Sequence, residues 1–204
     1  MKIALIGASG NMGQRLCAEA VSRGHEVTAI ARTEEKLKTL KSVKPIAADL
    51  ADQSRLTQAI RGADAVILSV KFNDNDITPV FGAMREAGVN RLAIVGGAAS
   101  LKNAEGVRLL DQPGFPDFIK VEAAPAAAAL DWMKAEVTDI DWVFVSPSMI
   151  LEPGERTGKF RLGKDDLLVA ADGKSSISYE DLAVAIIDEL ESPKHHRERF
   201  TVGY

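Results

Sequence analysis

Three glycines and the arginine that follows the next apolar run carry the clearest chemical signal in this chain of 204 residues. Gly7, Gly10 and Gly13 stand in the run Gly7-Ala8-Ser9-Gly10-Asn11-Met12-Gly13, a G-x-x-G-x-x-G spacing between an apolar stretch and a helical one. That spacing suits a pyrophosphate. Gly7 allows the tight turn off a strand, Gly10 lets backbone amides approach phosphate, and Gly13 lets the helix pack closely on the strand. The helix N-terminus then adds unpaired N–H groups and the positive end of its dipole. A glycine-rich turn with no ligand is the plainer alternative. The position of the motif, directly after a first strand and before a first helix, favours a bound dinucleotide.

The end of the second apolar run separates the two nicotinamide dinucleotides. A binder of NAD carries Asp or Glu there to hold the ribose 2′-hydroxyl. Here the position is Ala31 or Arg32. A guanidinium pairs with a 2′-phosphate and stacks on adenine, and no carboxylate is present to repel it, so NADP (as NADPH) is favoured over NAD. Asp49 and Leu50, closing the third run, are placed at the adenine, although Asp49 serves equally as a turn former. Ser69 and Val70 after the fourth run, and Gly96 and Gly97 after the fifth, are expected on the ribose and nicotinamide side, because ligands of open α/β sheets lie beyond the carboxyl ends of the strands.

The elements that must position these residues alternate as repeated βα units of a doubly wound parallel sheet. Strands are expected at 2–6, 26–31, 44–48, 65–70, 91–95 and 141–145, with helices at about 12–23, 52–61, 77–87 and 122–136. Thr33, Asp52 and Ser178 read as N-caps, and Gly24, Gly62 and Gly88 as helix stops. Pro125 is then a first-turn proline. Residues 98–121 show no period and hold Pro113, Gly114 and Pro116; so long a connection is expected to cover a site. After residue 150 the pattern gives short strands at 159–162 and 167–171, a helix at 178–191 and a last strand at 200–202. The expectation is one Rossmann domain over 1–204, with about 151–204 as a substrate-side lobe and closing helix.

Composition narrows the function classes. Hydrophobic residues make up 46% and charged residues 26%, ordinary globular usage. A net charge of -4 gives no broad attraction to nucleic acid or to an anionic membrane. No apolar run approaches the roughly 18 residues a membrane span needs, and no leader pattern precedes the first strand, so a cytoplasmic protein is expected. The single cysteine, Cys17, cannot form an intramolecular disulfide and reads as a small buried residue of the first helix. No residue set has metal-ligand spacing: His195 and His196 are adjacent in a charged segment read as a solvated turn, His25 lies in a turn, and Asp165-Asp166 is an isolated acidic pair. The sequence assigns no oligomeric state.

MKIALIGASGNMG, RGHEVTAIAR, GADAVILSV, AGVNRLAIVGGAAS, FVSPSMILEPGERTGKFRLG and ISYEDLAVAIIDELE, in that order, resemble the atypical short-chain dehydrogenase/reductases. Within that group the chain is similar to small proteins described as candidate NADH-flavin reductases, related to the NmrA-like and biliverdin-reductase-B-like families. The resemblance spans essentially the whole chain, and PGERTGKFRLG is its more specific part. It implies a Rossmann fold of strand order 3-2-1-4-5-6 and cofactor contacts from Gly7, Ser9, Gly10, Asn11, Met12, Arg32 and Asp49.

Typical short-chain dehydrogenases use a Tyr-x-x-x-Lys pair, and this chain lacks it. Its two tyrosines are Tyr179, followed four residues on by Ala183, and the terminal Tyr204. Phe118 and Lys120 lie near the expected region, but phenylalanine has no proton to give. Hydride transfer itself remains possible, because that chemistry belongs to the cofactor and needs mainly orientation. Ser100 is the polar side chain best placed to orient a substrate carbonyl or ring nitrogen, with an N-cap or loop role as its alternative. Lys120, Glu122 and Tyr179 are secondary candidates. The favoured function is an NAD(P)H-dependent reductase of a small conjugated acceptor such as a flavin or quinone. The alternative is a non-catalytic NADP-binding sensor of NmrA-like type. Sugar-nucleotide epimerase chemistry is disfavoured, since it relies on the missing tyrosine.

Overall fold

Runs with apolar residues at both odd and even positions can be buried on both faces, and here they become the centre of a parallel sheet. The computed structural model describes residues 1–204. Strands β1 (Lys2–Ile6), β2 (Glu26–Ala31), β3 (Val43–Ala47), β4 (Ala65–Leu68), β5 (Arg91–Val95) and β6 (Asp141–Pro147) pair in parallel in the order 3-2-1-4-5-6. Alternate residues of each strand feed opposite cores. Ile3, Leu5, Ile67, Val143 and Val145 face one helix layer, built by α1 (Asn11–Ser22) and α5 (Tyr179–Glu191). Ala4, Ile6, Val66, Leu68 and Phe144 face the other layer, built by α2 (Gln53–Ile60), α3 (Thr78–Ala87) and α4 (Asp117–Glu136). The chain order reverses between β1 and β4, which opens a crevice beyond their carboxyl ends.

Local signals set most helix ends. The Asp52 carboxylate accepts the Arg55 N–H at 2.9 Å and caps α2. Gly88 ends α3 in the left-handed conformation, φ 72°. Ser178 Oγ accepts the Asp181 N–H at 3.0 Å and caps α5. Thr33 occupies an N-cap position without a side-chain capping bond, and the segment after it is only a short 3-10 turn, Glu34–Leu37.

Several expectations are corrected. Helix α4 begins at Asp117, just after Pro116, so Pro125 is an interior residue of a 20-residue helix rather than a first-turn one. The N–H groups of Ile119 and Lys120 both donate to the Pro116 carbonyl at 3.0 Å, which starts the helix early. The irregular connection after β5 is correspondingly shorter, and it holds a 3-10 turn at Leu109–Asp111. Residues 167–171 form no strand: the Leu167 N–H bonds to Lys102, and the Ala170 N–H turns back to the Lys174 carbonyl at 2.7 Å. Strand β8 is Arg161–Gly163, and it pairs antiparallel with the last strand, β10 (Glu198–Gly203). Two strands escaped the pattern reading, β7 (Ile150–Glu152) and β9 (Ser176–Ser178), which pair with each other in parallel. Strand β10 continues the main sheet beside β6, and α5 packs on α1 in its helix layer. Only the stretch from β7 to β9 and β8 therefore lies outside the regular βα repeat.

Buried carboxylates hold that stretch down. Glu19 of α1 accepts from Arg156 Nε and Nη2, each at 2.7 Å, and from Arg23 Nε at 2.7 Å. Asp181 of α5, fully buried, accepts the Gly158 N–H at 2.8 Å, the Thr157 hydroxyl and the Tyr204 hydroxyl at 2.8 Å. The Glu180 carboxylate takes the Gly154 N–H at 2.9 Å. The PGERTG segment is thus strapped to both helices of one layer.

Hydrogen bonds from Arg156, against the cost of burial and with help from Arg23, hold the Glu19 carboxyl below its usual range. A depressed folded-state value stabilises the fold above the ordinary carboxylate range, and that contribution is lost as pH falls through the folded value. Urea unfolding across about pH 3 to 7 is expected to show stability falling with acid. Glu19→Gln is expected to cost about 1–3 kcal/mol at neutral pH and to flatten the acid slope.

Candidate functional site: a dinucleotide cradle and an apolar cleft

The cradle begins where β1 runs into its glycine turn. Gly7 has φ 85°, and a Cβ there would lie 2.0 Å from the Ser69 carbonyl oxygen. A Cβ at Gly13 would lie 2.2 Å from the Gly7 carbonyl. Both glycines are therefore required by backbone lying against backbone. Gly10 differs, since its Cβ would meet only the Gly7 oxygen, at 3.4 Å, and its outer side is open to approach.

The N–H groups of Gly7 and Ala8 both donate to the Ile30 carbonyl, at 2.9 and 3.1 Å, and Gly10 N–H donates to Gly7. Those of Asn11, Met12 and Gly13, the first turn of α1, have no acceptor in the protein. No side chain caps this helix and no acidic residue stands in its first turn. A cradle that a Cβ would fill, with free N–H donors and a positive helix end, fits a pyrophosphate.

From that helix end a cleft of about 700 Å³ opens over the carboxyl ends of β4 and β5. Of the residues expected at the cofactor, Gly10, Asn11, Met12, Ser69, Val70, Gly96 and Gly97 line it, and so does Ser100. Gly7, Ser9 and Gly13 lie in the turn behind it. Arg32, Asp49 and Leu50 stand at the ends of β2 and β3, on the far side of β1, where the adenine end of a dinucleotide would extend. Arg32 is exposed and makes no hydrogen bond or ion pair, so its guanidinium is free for a phosphate. Asp49 Oδ1 accepts the Ala51 N–H at 2.9 Å, the turn-forming role, while Leu50 is buried beside it. The glycine pair after β5 divides: a Cβ on Gly96 would strike the Phe144 ring at 1.9 Å, whereas Gly97 has open space.

The opposite wall is apolar. Phe115 comes from the connection after β5, Phe118 and Ile119 from the first turn of α4, and Met149 from the turn after β6. Phe118 is 81% exposed. At the rim Lys71 Nζ lies 3.6 Å from the Glu122 carboxylate. Sequence reasoning placed Phe115 and Ile119 only within a covering loop and Phe118 near the position of the absent tyrosine, and it missed Lys71, Phe72 and Met149. Pro116 was a usable boundary signal for the α4 residues; nothing local marks Met149.

The two tyrosines part company. Tyr179 lines the cleft, with the Arg15 guanidinium 5.6 Å from its ring centre. Tyr204 lies outside the cleft lining, its hydroxyl donating to Asp181 at 2.8 Å and lying 2.9 Å from Ser178 Oγ. Burial, together with the Asp181 carboxylate, pushes the Tyr204 phenol above its usual value. Its job is to pin the strap. Ser100 is only 5% exposed, and its Oγ accepts from Arg199 Nη1 at 3.0 Å. The reading of His195 as a solvated turn residue is corrected: its ring stacks on Phe200 at 4.4 Å, and its Nδ1 lies 2.8 Å from Glu189, which also takes Arg91. Cys17 is buried, and burial pushes its thiol up to about 12.

The chain belongs to the NAD(P)H-binding family, whose model matches residues 7–193, and is an atypical short-chain dehydrogenase/reductase-like Rossmann protein. It is similar to the uncharacterised protein YwnB of Bacillus subtilis, 38% identical over 99% of this chain and 98% of the relative. Among solved structures it is similar to a candidate epimerase from Bacteroides thetaiotaomicron, with 45% identity and TM-score 0.90 over 100% of this chain and 96% of that one. It is also similar to a candidate NADH-flavin reductase from Streptococcus pneumoniae, with 34% identity and TM-score 0.83 over 100% and 99% of the two chains.

Because a side chain at residue 13 collides with the Gly7 carbonyl, Gly13→Ala must push α1 away from the turn. Its affinity for NADPH, followed by nicotinamide fluorescence, is expected to fall at least about tenfold, roughly 1.4 kcal/mol.

Proposed function

We propose that this protein is an NAD(P)H-dependent oxidoreductase that reduces a small conjugated acceptor, a flavin or a quinone, and that it prefers NADPH. The observation that carries this reading is the apolar cleft that starts at the uncapped end of α1 and reaches Ser100. When bound, the reduced dinucleotide supplies a hydride, and one further proton from solvent completes the two-electron reduction of the acceptor. The protein's own part is orientation. The free N–H groups of Asn11 and Met12 hold the pyrophosphate, and Arg32 pairs with a 2′-phosphate. Phe115, Phe118 and Ile119 offer aromatic and aliphatic surface for a planar ring and exclude water from it. Ser100 orients a carbonyl oxygen or ring nitrogen.

The first turns of α4 carry Phe118 and, four residues on, Glu122 where the usual tyrosine and lysine pair would be sought. Alcohol oxidation through a phenolate is therefore a poor fit, and the likeness to a candidate epimerase does not carry that chemistry over. A conjugated ring, which accepts hydride directly, suits a site without such a pair. The relative named as a candidate NADH-flavin reductase supports the same choice.

A second reading, a non-catalytic NADP-binding sensor, draws on the missing pair and on the exposure of Phe118, Ile119 and Met149, which line the cleft. Purified protein mixed with NADPH and a panel of flavins and quinones separates the two, with loss of nicotinamide absorbance as the signal. Turnover well above the uncatalysed rate is expected. Tight NADPH binding with no turnover on any acceptor gives the sensor instead. In the same assay Arg32→Ala is expected to lower the preference for NADPH over NADH about tenfold, the worth of one charge-assisted phosphate contact; an unchanged ratio removes Arg32 from that role.

A further inference from the structure

Arg199 is a charged residue inside the protein, 4% exposed, on a strand that the cofactor reading never touched. It lies on β10 and joins three separate segments. Its Nε donates to Asp165 Oδ1 at 2.9 Å, and its Nη2 donates to the same oxygen and, at 3.3 Å, to the Ser100 carbonyl. Its Nη1 donates to Ser100 Oγ at 3.0 Å. The guanidinium is thus locked by a fork that a lysine cannot reproduce. Asp165 compensates the buried cation, which would otherwise be costly.

The consequence falls on Ser100. A hydroxyl carries one hydrogen and two acceptor lone pairs. Arg199 occupies the acceptor side, and the donor side has no acceptor in the protein. Facing a cation, that hydrogen cannot turn toward Nη1. Ser100 is among the residues lining the cleft, so an acceptor atom bound there is the partner left for that hydrogen. A hydroxyl that already accepts a charge-assisted hydrogen bond is also a stronger donor, because successive bonds polarise one another.

We propose that Arg199 is a positioning residue: by holding Ser100 Oγ as an acceptor, it presents the Ser100 hydroxyl hydrogen to the oxygen or ring nitrogen of the molecule in the cleft. This rests on the oxidoreductase reading for its catalytic consequence. A quinone gains negative charge on its oxygen as hydride arrives, so a preset donor stabilises that charge more than it stabilises the bound ground state.

The test is a double-mutant cycle on Ser100→Ala, Arg199→Lys and the two combined, with menadione as acceptor and NADPH as donor. Each single change is expected to lower kcat about 100-fold while the NADPH dissociation constant moves less than about twofold. The combined variant is expected to be no worse than either alone, because Arg199 acts through Ser100. Ser100→Thr, which keeps the hydroxyl, is expected to restore most of the rate. A purely structural arginine gives losses that add, or that follow the melting temperature, and either result overturns the proposal; so does an inactive Ser100→Thr beside an active Ser100→Ala. Should Arg199→Lys not fold, Asp165→Asn, which frees the fork at the half-exposed end, replaces it in the same cycle. If the unaltered protein reduces none of the acceptors, the oxidoreductase reading fails by itself. The cycle is then read from menadione binding to the protein saturated with NADP: non-additive losses of affinity support the role of Arg199, and equal affinities overturn it.

Discussion

The close approach of backbone to backbone at the first turn governs everything built above it. Gly7 presses against the Ser69 carbonyl and Gly13 against the Gly7 carbonyl, with no room for a single carbon at either place. Those two contacts bring the start of α1 to the seam between β1 and β4. They also aim the free N–H groups of Asn11 and Met12 into the crevice where the sheet order reverses. A helix displaced by the width of a methyl group would still be a helix, but its dipole and donors would no longer converge with Ser69 and Val70 on one cleft.

A second constraint works from the opposite end of the chain. Glu19, Glu180 and Asp181 are acceptors buried wholly or in part, and the strap at 154–158 supplies many of their donors. Buried carboxylates demand such partners, and their removal is costly. The strap is therefore held to α1 and α5 by charge. Tyr204 joins the same network, which explains a tyrosine that takes no part in the cleft. On the far face of β10, Arg199 does comparable work for the connection that follows β5, and through it for Ser100.

Much of the fold was legible in the sequence. Strands β1, β4, β5 and β6 are legible because two-faced burial writes apolar runs, and α2, α3 and α5 because Asp52, Gly88 and Ser178 act on their own neighbours. The errors came where tertiary contact outweighs local pattern. The pattern puts Pro125 in a first turn, although Pro116 already provides the start and α4 tolerates the later proline in its interior. Strands β7 and β9 are three residues each and form a two-stranded pair of their own, too short for any period to show. His195 looked solvated within a charged stretch, but Phe200 and Glu189 enclose it.

The sequence by itself determined the dinucleotide cradle, because its requirements are local: glycines at fixed spacing, a strand before them and a helix after them. The family resemblance adds segments along the whole chain, PGERTGKFRLG the most specific of them. Only the tertiary structure decided what surrounds the cradle. The Arg199–Ser100 pair is separated by 99 residues and the Arg156–Glu19 pair by 137, and no periodicity links partners so far apart. Long-range partners are chosen by the packing of strands and helices against one another. The identity of the charge behind Ser100, and of the apolar wall facing it, emerges only once the sheet has closed the distance.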